Sequence, residues 1–255
     1  MGIQQHEIPL LEFDPAQSAV IDPAHEKLDL KLPRKCVFAF LGDCIDRYAS
    51  RTNTRKVSDF VSTTKSYPIY ITVYNGEQIV LCQAPAGAAP AVQLLDWLIG
   101  YGVREIISAG SCGTLEEFPE NVFLVPRKAL RDEGTSYHYA PPSRFMEINE
   151  RARCAIKETI LAHKQAYQEV VTWSTDGFFR ETKEKVAYRK EEGCCVVEME
   201  CSALAACAAF RGITWGMILY TADTLADADN YNERNWGTNS LELALTFCLD
   251  AVLRL

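Results

Sequence analysis

The chain has 255 residues, 48% hydrophobic and 24% charged, which is enough to bury a sizeable core and too apolar for a disordered or fibrous protein. Its 26 basic and 34 acidic residues leave a net charge of −8, which argues against a surface built to neutralise a nucleic-acid polymer and for a small-molecule partner. No stretch approaches the roughly 20 apolar residues of a membrane span, and the N-terminus lacks a basic and then apolar leader, so a cytoplasmic protein with no membrane partner is expected.

Residues 1–35 are polar and punctuated by Pro9, Pro15, Pro23 and Pro33. They hold no sustained period and read as an N-terminal arm on a single domain covering 1–255. The apolar run 36–41 reads as a buried strand that stops at Gly42-Asp43, followed by a helical segment containing Arg47 and Tyr48. Segments 69–74 and 78–82 flank Asn75-Gly76, a strong hairpin signal. Val92, Leu94, Leu95, Leu98 and Ile99 mark a helix ended by Gly100 and Gly102.

A strand over 105–109 then runs into Gly110-Ser-Cys-Gly113, read as a glycine-rich turn. Further strands are predicted at 121–125, 169–173, 194–198 and 214–221, with helices near 148–163, 200–211 and 241–255. This alternation, with strands apolar on both faces, predicts an α/β protein with a mixed or parallel sheet. The ten cysteines lie scattered in apolar runs without metal-ligand spacing and read as reduced core thiols, so no metal is expected.

Gly-rich turns at the carboxyl ends of strands are where backbone N–H groups approach an anion closely. Gly42 offers no side chain to block an oxyanion, and Arg47 lies near enough to aim a guanidinium at one. Ser111 places a hydroxyl between two glycines. The order Gly-Ser-Cys-Gly is not a nucleophile elbow, and none of His6, His25, His138 or His163 has a context that nominates it as a base, which disfavours a serine hydrolase. In Val197-Glu-Met-Glu200 two acids straddle a methionine where an apolar strand gives way to an Ala-rich helix. Glu200 reads either as a ligand for vicinal hydroxyls or as a first-turn acid on the helix dipole.

Gly42-Asp43, Gly110-Ser-Cys-Gly113, Val197-Glu-Met-Glu200 before a small-residue helix, and Asp223 after an apolar strand follow one another in an order that resembles the purine nucleoside and uridine phosphorylase family. The resemblance runs from about Cys36 to Leu255. It implies a three-layer α/β/α sandwich around a mixed, partly barrel-like sheet, and exchange of a nucleoside's base for phosphate on the ribose C1′. By the same resemblance Gly42, Arg47 and Ser111 contact phosphate, Met199 and Glu200 hold the ribose, Phe178 stacks on the base, and Asp223 protonates N7 of a leaving purine. His25 is the matching candidate for a histidine lent by a neighbouring subunit. The partners implied are a nucleoside and inorganic phosphate, with no other cofactor, in a homodimer or hexamer. The plainer reading of Asp223 is a turn or cap acid.

The chain departs from the family pattern at two anion-binding positions. Ser108 stands where an arginine is usual, and Asp46 occupies the place of the first arginine, one residue before Arg47. Lys65, Arg131 or Arg180 could rebuild the anion pocket, with 131–139 bordering it; otherwise water replaces phosphate, as in nucleosidases. Glu181 to Glu184 lacks the Gln and Arg with which uridine-acting members read uracil, so a purine is favoured over the uridine phosphorylase alternative. Residues 223–236, with Arg234, are the expected gate. A non-catalytic nucleoside-binding protein is the alternative outside enzymes.

Overall fold

The computed structural model describes residues 3–255. Its strands are β1 (Lys35–Ala39), β2 (Thr54–Val61), β3 (Ser66–Tyr74), β4 (Glu77–Gln83), β5 (Glu105–Thr114), β6 (Phe123–Asp132), β7 (Phe145–Glu147), β8 (Tyr167–Thr175), β9 (Val196–Glu198) and β10 (Thr214–Thr224). The helices are α1 (Cys44–Arg51), α2 (Ala88–Gly100), α3 (Glu150–Ala162), α4 (Lys183–Glu191), α5 (Cys201–Phe210) and α6 (Leu241–Leu253). None of these helices is long and apolar enough to cross a membrane.

The sheet is mixed and partly closed. β10 pairs in parallel with β5 and antiparallel with β6, β6 and β8 run parallel, and β9 bridges β8 back to β5. Those five strands form a ring, from which β1, β4, β3 and β2 extend as an open wing. Register shifts between Thr221 and Thr224 in β10 and between Pro126 and Lys128 in β6 supply the bends a closed sheet needs. α2 and α5 pack with Phe38, Ile106, Trp215 and Leu219 on one face. α1, α3 and α6 pack with Val37, Ile107, Ala109 and Ile218 on the other, giving the expected three layers around a partial barrel. All ten cysteines are free thiols, and eight of them are buried.

Several expectations are corrected. Gly110-Ser-Cys-Gly113 is not a turn: β5 continues through it to Thr114, because Gly110, Ser111 and Cys112 pair with Leu219, Tyr220 and Thr221, and Gly113 pairs with Val197. Gly113 is needed for close approach, since a Cβ there would stand 3.0 Å from Leu225, 3.1 Å from Val197 and 3.2 Å from an Asp223 carboxyl oxygen. The strand expected to end at Val125 runs to Asp132, because the missing N–H of Pro126 falls at the bulge. β2, β7 and α4 carry too little apolar periodicity to have been read from the sequence. In the arm, the described residues 3–34 contain only a short 3-10 turn at Pro9–Leu11, and most of them are exposed.

Candidate active site

The parallel strands β1, β5 and β10 end at one rim of the barrel, and the N-terminus of α5 arrives there directly after β9. Glu198, the last residue of β9, fixes this junction. One of its carboxyl oxygens accepts from Ser174 Oγ (2.6 Å) and Thr172 Oγ1 (3.0 Å), and the other accepts from the backbone N–H groups of Glu200 (2.7 Å) and Cys201 (2.6 Å). A buried carboxylate thus satisfies the orphan N–H groups that open α5. The helix-terminus role considered for Glu200 therefore belongs to Glu198.

Glu200 is left free to face the cleft. It is 7% exposed, and its Oε1 accepts from the Gly87 N–H at 2.5 Å. Gly87 presents that N–H from a left-handed conformation, φ +93°, just before α2. Burial, and then the neighbouring Glu198, push the Glu200 carboxyl from 4.5 up to about 8. Asp223, 5% exposed near the end of β10, is also raised by burial, against opposing effects of its own backbone N–H, the Tyr231 hydroxyl and Arg234.

The cleft has two lobes, of about 200 and 450 Å³. Ser111, Met199, Glu200 and Phe40 line the smaller; Tyr231, Asp227 and Glu233 line the larger; and Phe178, Glu181, Asp223 and Trp236 form the boundary common to both. The Phe178 ring is 42% exposed and packs edge-on against Phe179, 4.9 Å between centroids. Together the lobes fit a ligand the size of a nucleoside.

Ser111, Met199, Glu200, Phe178 and Asp223, spread over more than a hundred residues of sequence, therefore meet in one cleft. Gly42, φ +56°, lies in the loop two residues beyond Phe40, and Phe40 donates its N–H to the Ala109 carbonyl beside Gly110 and Ser111. Arg47 does not line the cleft: its guanidinium is held by Asp43 and, at 3.1 Å, by Glu242. Ser108 is wholly buried and accepts from Trp215 Nε1 at 3.0 Å.

Segment 131–139 does not border the cleft. Arg131 is buried with its donors spent on Ser136, Ala140, Pro141 and Ser143, while Glu133 accepts from Ser202 Oγ and so braces α5 from behind. Lys65 sits over the Tyr67 ring in the β2–β3 turn, and Arg180 is exposed outside the cleft lining. His25 is elsewhere, in a cavity between the arm and α2 with Trp97 and Arg211. Arg234 pins the expected gate by donating to the carbonyls of Ala222 and Phe118.

Glu181, noted in the sequence only as lacking the uracil-reading pattern, and Tyr231 and Trp236, placed only within the expected gate, line the cleft directly. Burial and the nearby Asp223 push Glu181 up to about 7, with Lys185 pulling the other way. Its only signal in the sequence was an acid three residues after Phe178.

Two outcomes follow from this geometry. Glu198→Ala removes the acceptor of two hydroxyls and two backbone donors, so urea titration should show a loss of at least about 2 kcal/mol. Because the folded protein keeps a proton on Glu200 that the unfolded chain releases, stability falls as pH rises from about 4.5 to about 8, by at most about 1.4 kcal/mol for each pH step of one. Thermal melts should show a lower Tm at pH 8.5 than at pH 5.5, and Glu200→Gln should flatten that slope.

The family model described as "Phosphorylase superfamily" matches residues 36–254. A guanosine phosphorylase of Halorubrum lacusprofundi is 25% identical over 209 residues, covering 78% of this chain and 85% of that protein. Among solved structures, a uridine phosphorylase from Vibrio fischeri superposes with a TM-score of 0.77 at 21% identity, covering 92% of this chain and 95% of that one. A purine nucleoside phosphorylase from Toxoplasma gondii, in complex with immucillin-H, gives 0.75 at 17% identity, covering 88% and 92%. With the family's match spanning most of the chain and the same barrel-centred fold, this protein belongs to the phosphorylase superfamily and is an enzyme of that group.

Proposed function

We propose that this enzyme cleaves the N-glycosidic bond of a nucleoside, purines preferred, and passes the ribosyl group to inorganic phosphate, releasing free base and ribose 1-phosphate. One observation carries the reading: the buried Glu200 carboxyl opens into the same cleft as an exposed aromatic ring, Phe178, and a second buried carboxyl, Asp223. Vicinal ribose hydroxyls donate to Glu200 with Met199 against the sugar. The base lies on Phe178, and its N7 reaches Asp223.

Breaking the bond builds positive charge on the ribose and negative charge on the base, so the transition state needs an anion on one side and a proton on the other. Burial favours the protonated form of Asp223, the form that donates. Ser111 Oγ and the loop at Gly42 form the anion side. The name of the halobacterial relative, guanosine phosphorylase, fits a purine, and a carboxyl at Glu181 is a poor partner for the two carbonyl oxygens of uracil.

A second reading, with water as acceptor, is favoured by one specific feature. Among the described residues, no Lys, Arg or His side chain lines the lobe that holds Ser111. Phosphate titration separates the two: strict dependence with ribose 1-phosphate as product supports phosphorolysis, whereas phosphate-independent release of free ribose assigns hydrolysis. Absence of base release from inosine, guanosine, adenosine and uridine with either acceptor would leave only nucleoside binding.

Glu200→Ala should lower kcat/KM by at least about 100-fold, because sugar hydroxyls and the Gly87 N–H then lack their acceptor; near-normal turnover would refute the ribose role. Asp223→Asn should cost about 10²–10⁴-fold on inosine but far less on a nitrophenyl riboside, whose leaving group needs no proton. Equal losses on both would remove Asp223 from the acid role.

A further inference from the structure

The turn that carries Trp236 to the cleft is strained. Arg234 and Trp236 both hold a left-handed backbone, φ +51° and +54°, and Gly237 follows at +65°. Glycine takes that conformation freely, but for a bulky side chain it is an outlier that persists only where the surroundings over-determine it. Core packing does not supply the constraint, because Trp236 is 47% exposed and lines both lobes of an open cleft.

The constraint comes from a residue outside the cleft. Glu120 lies in the connection between β5 and β6, and its Oε1 accepts from the N–H groups of Asn235 (3.0 Å) and Gly237 (2.8 Å), the two neighbours of Trp236. One carboxylate oxygen thus grips both ends of the strained unit through charge-assisted hydrogen bonds, the stronger class. Glu120 stands on a fixed base. The next residue, Asn121, donates its N–H to the Thr221 carbonyl at 3.0 Å and accepts from Ser240 Oγ at 3.0 Å, which ties the connection to β10 and to the residue before α6. Gly237 also lies so close to the Tyr220 ring that a Cβ there would stand 2.8 Å from it and 2.9 Å from the Thr221 carbonyl oxygen.

We infer that Glu120 is a positioning residue: by bonding both neighbours of Trp236 it keeps the indole in place as a wall that the two lobes share. Its effect on turnover rests on the nucleoside reading proposed above, whereas the placement of the ring depends on no substrate. Without the carboxylate the two N–H groups turn to water, the left-handed pair relaxes toward ordinary backbone, and the indole leaves the cleft. Glu120 itself lines neither lobe. What is lost is therefore binding surface, so KM rises while kcat changes less.

The four tryptophans make a selective test available. Trp97, Trp173 and Trp215 are 3%, 0% and 1% exposed, so acrylamide in solution quenches the fluorescence of Trp236 far more than that of the others. In the protein without substrate, Glu120→Ala should raise the quenching constant of the accessible component roughly twofold, as a half-exposed ring becomes a free one. Glu120→Asp, which keeps the charge but falls one methylene short, should act in the same direction and gives a milder variant should the alanine fold poorly. Glu120→Gln, which keeps the accepting oxygen, should stay near wild type, and Trp236→Phe should abolish the accessible component. With inosine and phosphate, Glu120→Ala should raise KM by at least about fivefold with a smaller change in kcat. Quenching at the wild-type level in both Glu120→Ala and Glu120→Asp overturns the inference, as does a Glu120→Gln that quenches like the alanine variant. Raised quenching with an unchanged KM overturns the part played in binding. If no nucleoside is cleaved, the proposed function fails while quenching still decides whether Glu120 places Trp236.

Discussion

Glu198 sits where a three-residue strand becomes a helix, and each of its carboxyl oxygens receives two hydrogen bonds from the surrounding backbone and hydroxyls. A buried carboxylate is costly unless its lone pairs are filled. Here they are filled by the groups that define the site's floor: the end of β8 through Thr172 and Ser174, and the first N–H groups of α5. The same network continues from Ser174 to the Ser202 N–H and from Ser202 to Glu133, so β6, β8, β9 and α5 are clamped together behind the cleft. With Glu198 holding the helix terminus, Glu200 is released from capping and turned outward. One acid is structural, the other is available for chemistry, and a single residue, Met199, separates them.

The barrel performs a complementary task. Its closure through β10, which pairs on both sides, brings the end of β5 and Asp223 to the same rim. The bulge between Thr221 and Thr224 in β10 turns Asp223 toward the cleft. Gly113 lies so near that carboxyl that a methyl group there would crowd it. Residues separated by more than a hundred positions thereby converge with little flexible linkage, which suits a reaction whose rate depends on placing an acid, a sugar ligand and an acceptor together.

Electrostatically the cleft is one-sided. The guanidinium nearest Gly42 is held between two carboxylates, Arg131 is locked behind α5, and Ser108 faces Trp215 in the core. The larger lobe by contrast gathers Glu181, Asp223, Asp227 and Glu233, with Lys183 beside them. The question of which acceptor serves the proposed cleavage grows from this asymmetry. Burial favours the protonated forms of Glu181 and Glu200 and so moderates the negative charge of the cleft.

The α/β class, the Asn75-Gly76 hairpin, the strand leading into Gly110 and the Glu-Met-Glu segment were all legible in the chain itself, because apolar periodicity and glycine placement are local signals that survive without neighbours. That β5 runs through its glycines and that β6 crosses Pro126 were not, since pairing on both edges and a bulge decide those, and both are non-local. Nor could residue order tell Glu198 from Glu200, or a free arginine from a paired one. Charge partners and burial are set by which strands and helices meet, so Arg47 looked available, and Glu181, Tyr231 and Trp236 had only a place in a segment, until the folded arrangement put the first between two acids and the other three around one cavity.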